Sequence, residues 1–114
     1  MARAFCDRNA KRNFAPVSGA EILAKIAALD VSRWNYKWED DKSVPHIGPV
    51  AQDFKGAFYP GRDDKSITTL EFDGVELAAI KALVTENDQL KKKNAALEEK
   101  FAQIESRLSA LERK

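Results

Sequence analysis

The end of the chain carries a seven-residue repeat, and no other feature limits the fold as tightly. Counted in heptads, the a positions are Ile80, Asn87, Asn94, Phe101 and Leu108, and the d positions are Leu83, Leu90, Leu97, Ile104 and Leu111. An apolar seam recurring every 3.5 residues keeps facing a neighbour only when helices supercoil around one another, so five such heptads specify a coiled coil. Neither Gly nor Pro interrupts the text from Val75 onward. At about 1.5 Å per residue the stalk from Ile80 is roughly 52 Å long.

The charges beside the seam give its direction. In a parallel, in-register coil each g residue faces the e residue five positions later on the next chain. Those pairs are Glu86 with Lys91, Lys93 with Glu98, Lys100 with Glu105 and Arg107 with Glu112, all opposite in sign. Each exposed pair contributes at best about 0.5 kcal/mol, but like charges would meet in slipped or antiparallel alternatives. The number of helices is less determined. Buried Asn87 and Asn94 set register in the manner of dimers, whereas Phe101 asks for a wider core, so the seam alone leaves two and three strands open.

Charged residues make up 32% of the 114, and the excess gathers after Glu86. Setting the stalk aside leaves about eighty residues, a size that buries a modest fraction of its surface and is marginal alone. Association is expected. No apolar run approaches the roughly 18 residues of a membrane span, and Met1-Ala-Arg-Ala-Phe5 lacks the apolar stretch of a signal peptide. The single cysteine, Cys6, excludes an intrachain disulfide or a multi-cysteine zinc site. A net charge of +1 argues against nucleic acid. Lys91-Lys92-Lys93 reads as a solvated helix face, and the acidic Glu71, Asp73 and Glu76 ahead of Ile80 exclude a basic-zipper arrangement. No metal, cofactor, membrane or nucleic acid is called for.

In the head, Ser18 and Glu21 form a capping box, and Ile22, Leu23, Ile26 and Leu29 give one face of a helix over about 19–29. Trp34, Tyr36 and Trp38 alternate with polar residues as a strand does, and Glu39 to Ser43 is a polar turn before a return from Pro45 to Gly48. Pro49 suits the first position of a short helix with Val50, Phe54 and Phe58 on its face. Tyr59 to Asp64 is a loop, and the β-branched run Ser66–Phe72 reads as a strand. Asp73 with Glu76 is a second capping box, opening the long helix. The reading is an α+β chain: a leader at 1–5, a small mixed helix/strand head at 6–73, and a helix at 74–114 forming a parallel coiled coil.

One stretch of the head carries chemistry. Cys6-Asp7-Arg8-Asn9-Ala10-Lys11 sets a nucleophile five residues before a base; read alone, Cys6 is as well a small buried apolar residue. The segment resembles the opening of the endosialidase-type intramolecular chaperone domain of phage tail spikes and fibres, Ser-Asp-Arg-x-x-Lys with an Asn two residues on, here Asn13. Trp34-Asn35-Tyr36, the block His46-Ile-Gly-Pro-Val-Ala-Gln-Asp-Phe54, the helix start at Asp73-Gly74-Val75 and the terminal coil are similar as well, so the resemblance spans 6–114.

That resemblance implies a homotrimer that templates a fibre or spike domain fused ahead of it, then cuts itself off. Cys6 becomes the nucleophile, Lys11 its base and Phe5–Cys6 the scissile bond, with Asn13 and His46 as candidates for the surroundings of the dyad. A residue attacking the carbonyl just before it needs no binding pocket, because the bond is already held nearby. Lysine acts as a base only when neutral, a form that burial in an assembled trimer favours. Two departures stand out: Cys6 replaces the family's Ser, and Arg12 stands where an acidic residue is common. His46, the sole histidine, reads by itself as structural. The implied setting is the host cytoplasm during virion assembly. The alternative is a permanent trimeric cap on a surface fibre that never cleaves.

Overall fold

The computed structural model describes residue 3 and residues 5–59 and 63–113. Most of the leader, residues 60–62 within the expected loop at 59–64, and the last residue therefore lie outside the described residues. The chain divides into two units, Met1–Ala79 and Ile80–Lys114. No described helix is long and apolar enough to cross a membrane.

The first unit opens with a 3₁₀ turn at Arg8–Ala10. Helix α1 follows at Gly19–Ala28, capped where Ser18 Oγ accepts the Glu21 N–H at 3.2 Å. The cap uses one of the donors that a first helical turn leaves without a partner, which is why the sequence signal locates the start correctly. A hairpin comes next. Strands β1 (Ser32–Trp34) and β2 (His46–Gly48) pair antiparallel, with Ser32 opposite Gly48, Arg33 opposite Ile47 and Trp34 opposite His46. The Asn35 side-chain amide donates to the Ser43 carbonyl at 3.3 Å and closes the connecting loop on itself.

The aromatic strand is shorter than its alternation predicts. It stops at Trp34, and Tyr36 to Glu39 form a turn in which the Glu39 N–H donates to the Tyr36 carbonyl at 3.0 Å. The Glu39 carboxylate accepts the Tyr36 N–H at 2.7 Å, a donor that a strand would have given to its neighbour. Tyr36 and Trp38 stack face to face instead, 4.2 Å apart at 10°.

Helix α2 spans Ala51–Phe58 with Val50 as its N-cap, so Pro49 lies just outside the helix rather than at its first position. Phe54 on α2 is the centre of the head, 2% exposed. Its ring lies 4.9 Å from Phe58, 5.5 Å from Tyr59 and 5.3 Å from Phe72. Beside it is an apolar cavity of about 270 Å³, to which Ile26, Leu29, Ile47 and Val75 also contribute. Among the described residues only Phe54 and Ala79 are buried hydrophobics. So thin a core supports a domain poorly by itself.

The expected strand at Ser66–Phe72 is absent. Residues 66–68 are irregular, and α3 runs from Thr69 to Glu112, beginning more than a turn before the Asp73 cap expected from the sequence. Thr68 sets the start: its Oγ1 accepts the Glu71 N–H at 3.4 Å and its carbonyl accepts the Phe72 N–H at 3.0 Å. Local β propensity yields here because the helix carries Phe72 to Phe54. Passing through Gly74 costs only about 1 kcal/mol relative to alanine, less than burial of an aromatic ring contributes.

In the second unit α3 continues alone, and none of its described residues is buried. The apolar a and d residues, Ile80, Leu83, Leu90, Leu97, Phe101, Ile104, Leu108 and Leu111, are each more than half exposed. A long α-helix with an uncovered apolar seam, interrupted at Asn87 and Asn94, is compatible with a coiled-coil strand.

Candidate functional site

The N-terminal turn is built by Asp7. Its Oδ1 accepts the Asn9 N–H at 3.1 Å, and its carbonyl accepts the Ala10 N–H at 3.1 Å. The Lys11 N–H then donates to the Arg8 carbonyl at 3.2 Å. These bonds double the backbone back on itself over one 3₁₀ turn, so residues on either side of the turn come together. Lys11 Nζ lies 2.9 Å from Cys6 Sγ. The two side chains that the sequence singles out as nucleophile and base are in direct hydrogen-bond contact.

Both residues are exposed, as are Asp7 and Arg12. Phe5, on the other side of the expected scissile bond, is 79% exposed. An amine at this distance has two uses. As an ammonium it donates to the sulfur and steadies negative charge there; as a neutral amine it removes the thiol proton. Sulfur as nucleophile and nitrogen as proton carrier are the two functions acyl transfer from the preceding carbonyl requires.

Asn13 is placed by its backbone. Its φ is 60°, making it the only non-glycine residue with positive φ among those described. Asparagine tolerates the left-handed region better than other side chains with a Cβ, so Asn13 turns the chain immediately after the dyad. His46 is engaged elsewhere. Its Nε2 meets Glu39 Oε1 at 3.0 Å and Oε2 at 3.2 Å, and its ring stacks on Trp34 at 4.7 Å. The Glu39 carboxyl is held below its ordinary titration range, first by the Tyr36 N–H and then by His46, against an opposing contribution from desolvation.

Residues 6–60 match the peptidase-family model described as chaperone of endosialidase. Over those residues the head is similar to the endosialidase chaperone family. The match begins at Cys6 itself and takes in the dyad, α1, the hairpin and α2, while α3 lies beyond it. No curated protein matches the chain.

Two residues of the head have roles that the sequence reading does not assign. Asp7 stands inside the motif, and its function was legible: an aspartate whose carboxylate reaches the N–H two residues on is a common turn former. Glu39 had no comparable signal. Its sequence context is only that of a polar turn, and the fold alone brings its carboxylate to both Tyr36 and His46.

Proposed function

We propose that this domain is an intramolecular chaperone that trimerises a phage tail spike or fibre fused ahead of it and releases itself by cutting between Phe5 and Cys6. The observation that carries the reading is the 2.9 Å contact between Lys11 Nζ and Cys6 Sγ at the first residue of the family match. The uncovered seam of α3 supports association, with the matched g and e charges favouring parallel chains and Phe101 favouring three.

The chemistry follows from that contact. Lys11 takes the thiol proton, and Sγ attacks the Phe5 carbonyl carbon through a five-membered ring. The C–S bond forms, the C–N bond to Cys6 breaks, and Lys11 returns its proton to the departing α-amine. Phe5 is then a thioester on Cys6, and water hydrolyses it to a carboxylate and a free thiol. Trimer assembly that covers the exposed dyad withdraws water from Lys11 and favours its neutral form, which ties the cut to completed folding. The work would be done in the host cytoplasm, during virion assembly.

The test is a fusion of a folding trimeric fibre ahead of Phe5, followed by intact mass. The expected outcome is a released fragment beginning at Cys6, lost in Cys6→Ala while the trimer persists. A wild-type fusion that trimerises and stays whole makes the domain a permanent structural cap instead.

A further inference from the structure

Cys6 is the only cysteine in the chain, it is exposed, and an amine touches its sulfur. That combination has a consequence apart from peptide cleavage. An exposed thiol is open to hydroperoxides, which convert it to a sulfenic acid. In most proteins a sulfenic acid is resolved by a second thiol. Here no second thiol exists within the chain, and the group already at contact distance is Lys11 Nζ.

We propose that the Cys6–Lys11 pair is a redox modification site, at which a hydroperoxide drives formation of a reversible sulfur–nitrogen cross-link between the two side chains. In the first step the sulfur attacks one peroxide oxygen. The O–O bond breaks, the thiol is oxidised to S–OH, and the peroxide is reduced to water or an alcohol. In the second step the neutral Lys11 amine attacks the sulfur. The S–N bond forms and the S–OH oxygen leaves as water, carrying away an amine proton. Two equivalents of an external thiol reverse the link, the first giving a mixed disulfide and free Lys11, the second a free Cys6.

The turn is already shaped for the product. Asp7 holds the backbone that brings Nζ to 2.9 Å from Sγ, so closing to a covalent bond asks for a small side-chain movement. The cross-link would remove nucleophile and base together, leaving the domain unable to cut until it is reduced. A serine at residue 6 has no such chemistry, because a hydroxyl is not oxidised by peroxide under these conditions. Sulfur at this one position thereby adds a redox gate to the proposed self-cleavage. The cross-link itself rests on the geometry of the pair, and only its regulatory effect rests on that reading.

The full chain is treated with hydrogen peroxide at millimolar concentration and digested with trypsin. Arg8 separates Cys6 from Lys11, so an unlinked chain gives their peptides singly. The expected result is one joined species of residues 4–8 and 9–12, since a linked Lys11 is no longer cut, about 2 Da lighter than the sum of those two peptides, that separates with dithiothreitol and does not form in Cys6→Ser or Lys11→Arg. Met1 falls in a different peptide, beyond Arg3, so its oxidation does not confuse the reading. Sulfinic or sulfonic acid on Cys6 with Lys11 unlinked, a Cys6–Cys6 disulfide between chains, or an unmodified pair each overturn the proposal. Cleavage of the reduced fibre fusion is scored separately: a cross-linking chain whose reduced fusion never cuts would keep the modification site and lose the self-cleavage reading.

Discussion

His46 lies on the Trp34 indole, ring centroids 4.7 Å apart and planes 30° apart, because the antiparallel register sets the two residues opposite one another. Tyr36 meets the edge of both rings, at 4.8 Å from Trp34 and 5.1 Å from His46. Glu39 then ties the loop back to the return strand through His46 Nε2. The hairpin, only three residues long on each side, is held by this cluster more than by its ladder, since a short two-stranded sheet is marginal in water.

The first prediction concerns acid. Glu39 titrates below its ordinary range in the folded chain, chiefly because its carboxylate accepts the Tyr36 N–H. A depressed folded value means that ionised Glu39 contributes stability above the unfolded value and loses it as pH falls through the folded one. Thermal melts of the wild type and Glu39→Gln should therefore differ at neutral pH and converge over roughly pH 5 to pH 3. A difference that stays constant across that range would show that the carboxylate's charge has no part in it.

Phe54→Ala should cost the head about 3–5 kcal/mol, since Phe54 is the one large side chain fully enclosed among the described residues. Both tryptophans lie in the hairpin, so their fluorescence during urea unfolding reports the head. A variant losing less than about 1 kcal/mol would mean that the site collapses around the smaller residue.

Some of this architecture was legible and some was not, for reasons that differ by residue. Ser18 and Glu21 announced α1 because a cap joins atoms three residues apart, and the heptads announced α3 because periodicity needs no knowledge of the partner. Trp38 and Ile67 were misleading for a shared reason. Alternation and β-branching describe what a segment does if nothing competes, and here the Glu39 carboxylate and the Thr68 cap compete successfully. At the dyad the spacing of Cys6 and Lys11 was visible, but their contact depends on the Asp7 turn. The partner of His46 depended on a loop whose path no local pattern specifies.

Reversing Glu98 and Glu105 to Lys should weaken self-association, because in a parallel register those residues face Lys93 and Lys100 of a neighbouring helix. The same two-charge change at Glu99 and Asp88, outside the e and g positions, should do less. Sedimentation equilibrium at low salt separates the two variants, and equal behaviour would rule out the parallel register. Asn87→Ile with Asn94→Ile should raise the melting temperature while broadening the distribution of oligomers.

Asn13 tests whether its place beside the dyad is conformational. With φ at 60°, Asn13→Gly should be nearly neutral, whereas Asn13→Val should cost about 1–2 kcal/mol of local strain. In the fibre fusion, Asn13→Gly should retain cleavage and Asn13→Val should slow it. Loss of cleavage in the glycine variant, with the head intact by fluorescence, would assign the amide side chain a direct part.

The last prediction separates a base from a spacer at residue 11. Lys11→Arg keeps the positive charge and a donor for the sulfur, but guanidinium is not deprotonated near neutral pH. If Lys11 acts only by steadying charge on Cys6, the arginine variant of the fusion should cut at close to the wild-type rate. If Lys11 shuttles the proton, as proposed, the variant should trimerise normally and stay whole, with a loss of at least about 100-fold in rate. Cys6→Ser sharpens the comparison. A hydroxyl depends on its base more than a thiol does, since a thiol is partly ionised near neutral pH on its own. The serine fusion should therefore cut with Lys11 present and fall further than the cysteine fusion when Lys11 becomes Arg. Equal losses in the two backgrounds would mean that the lysine positions the nucleophile without accepting its proton.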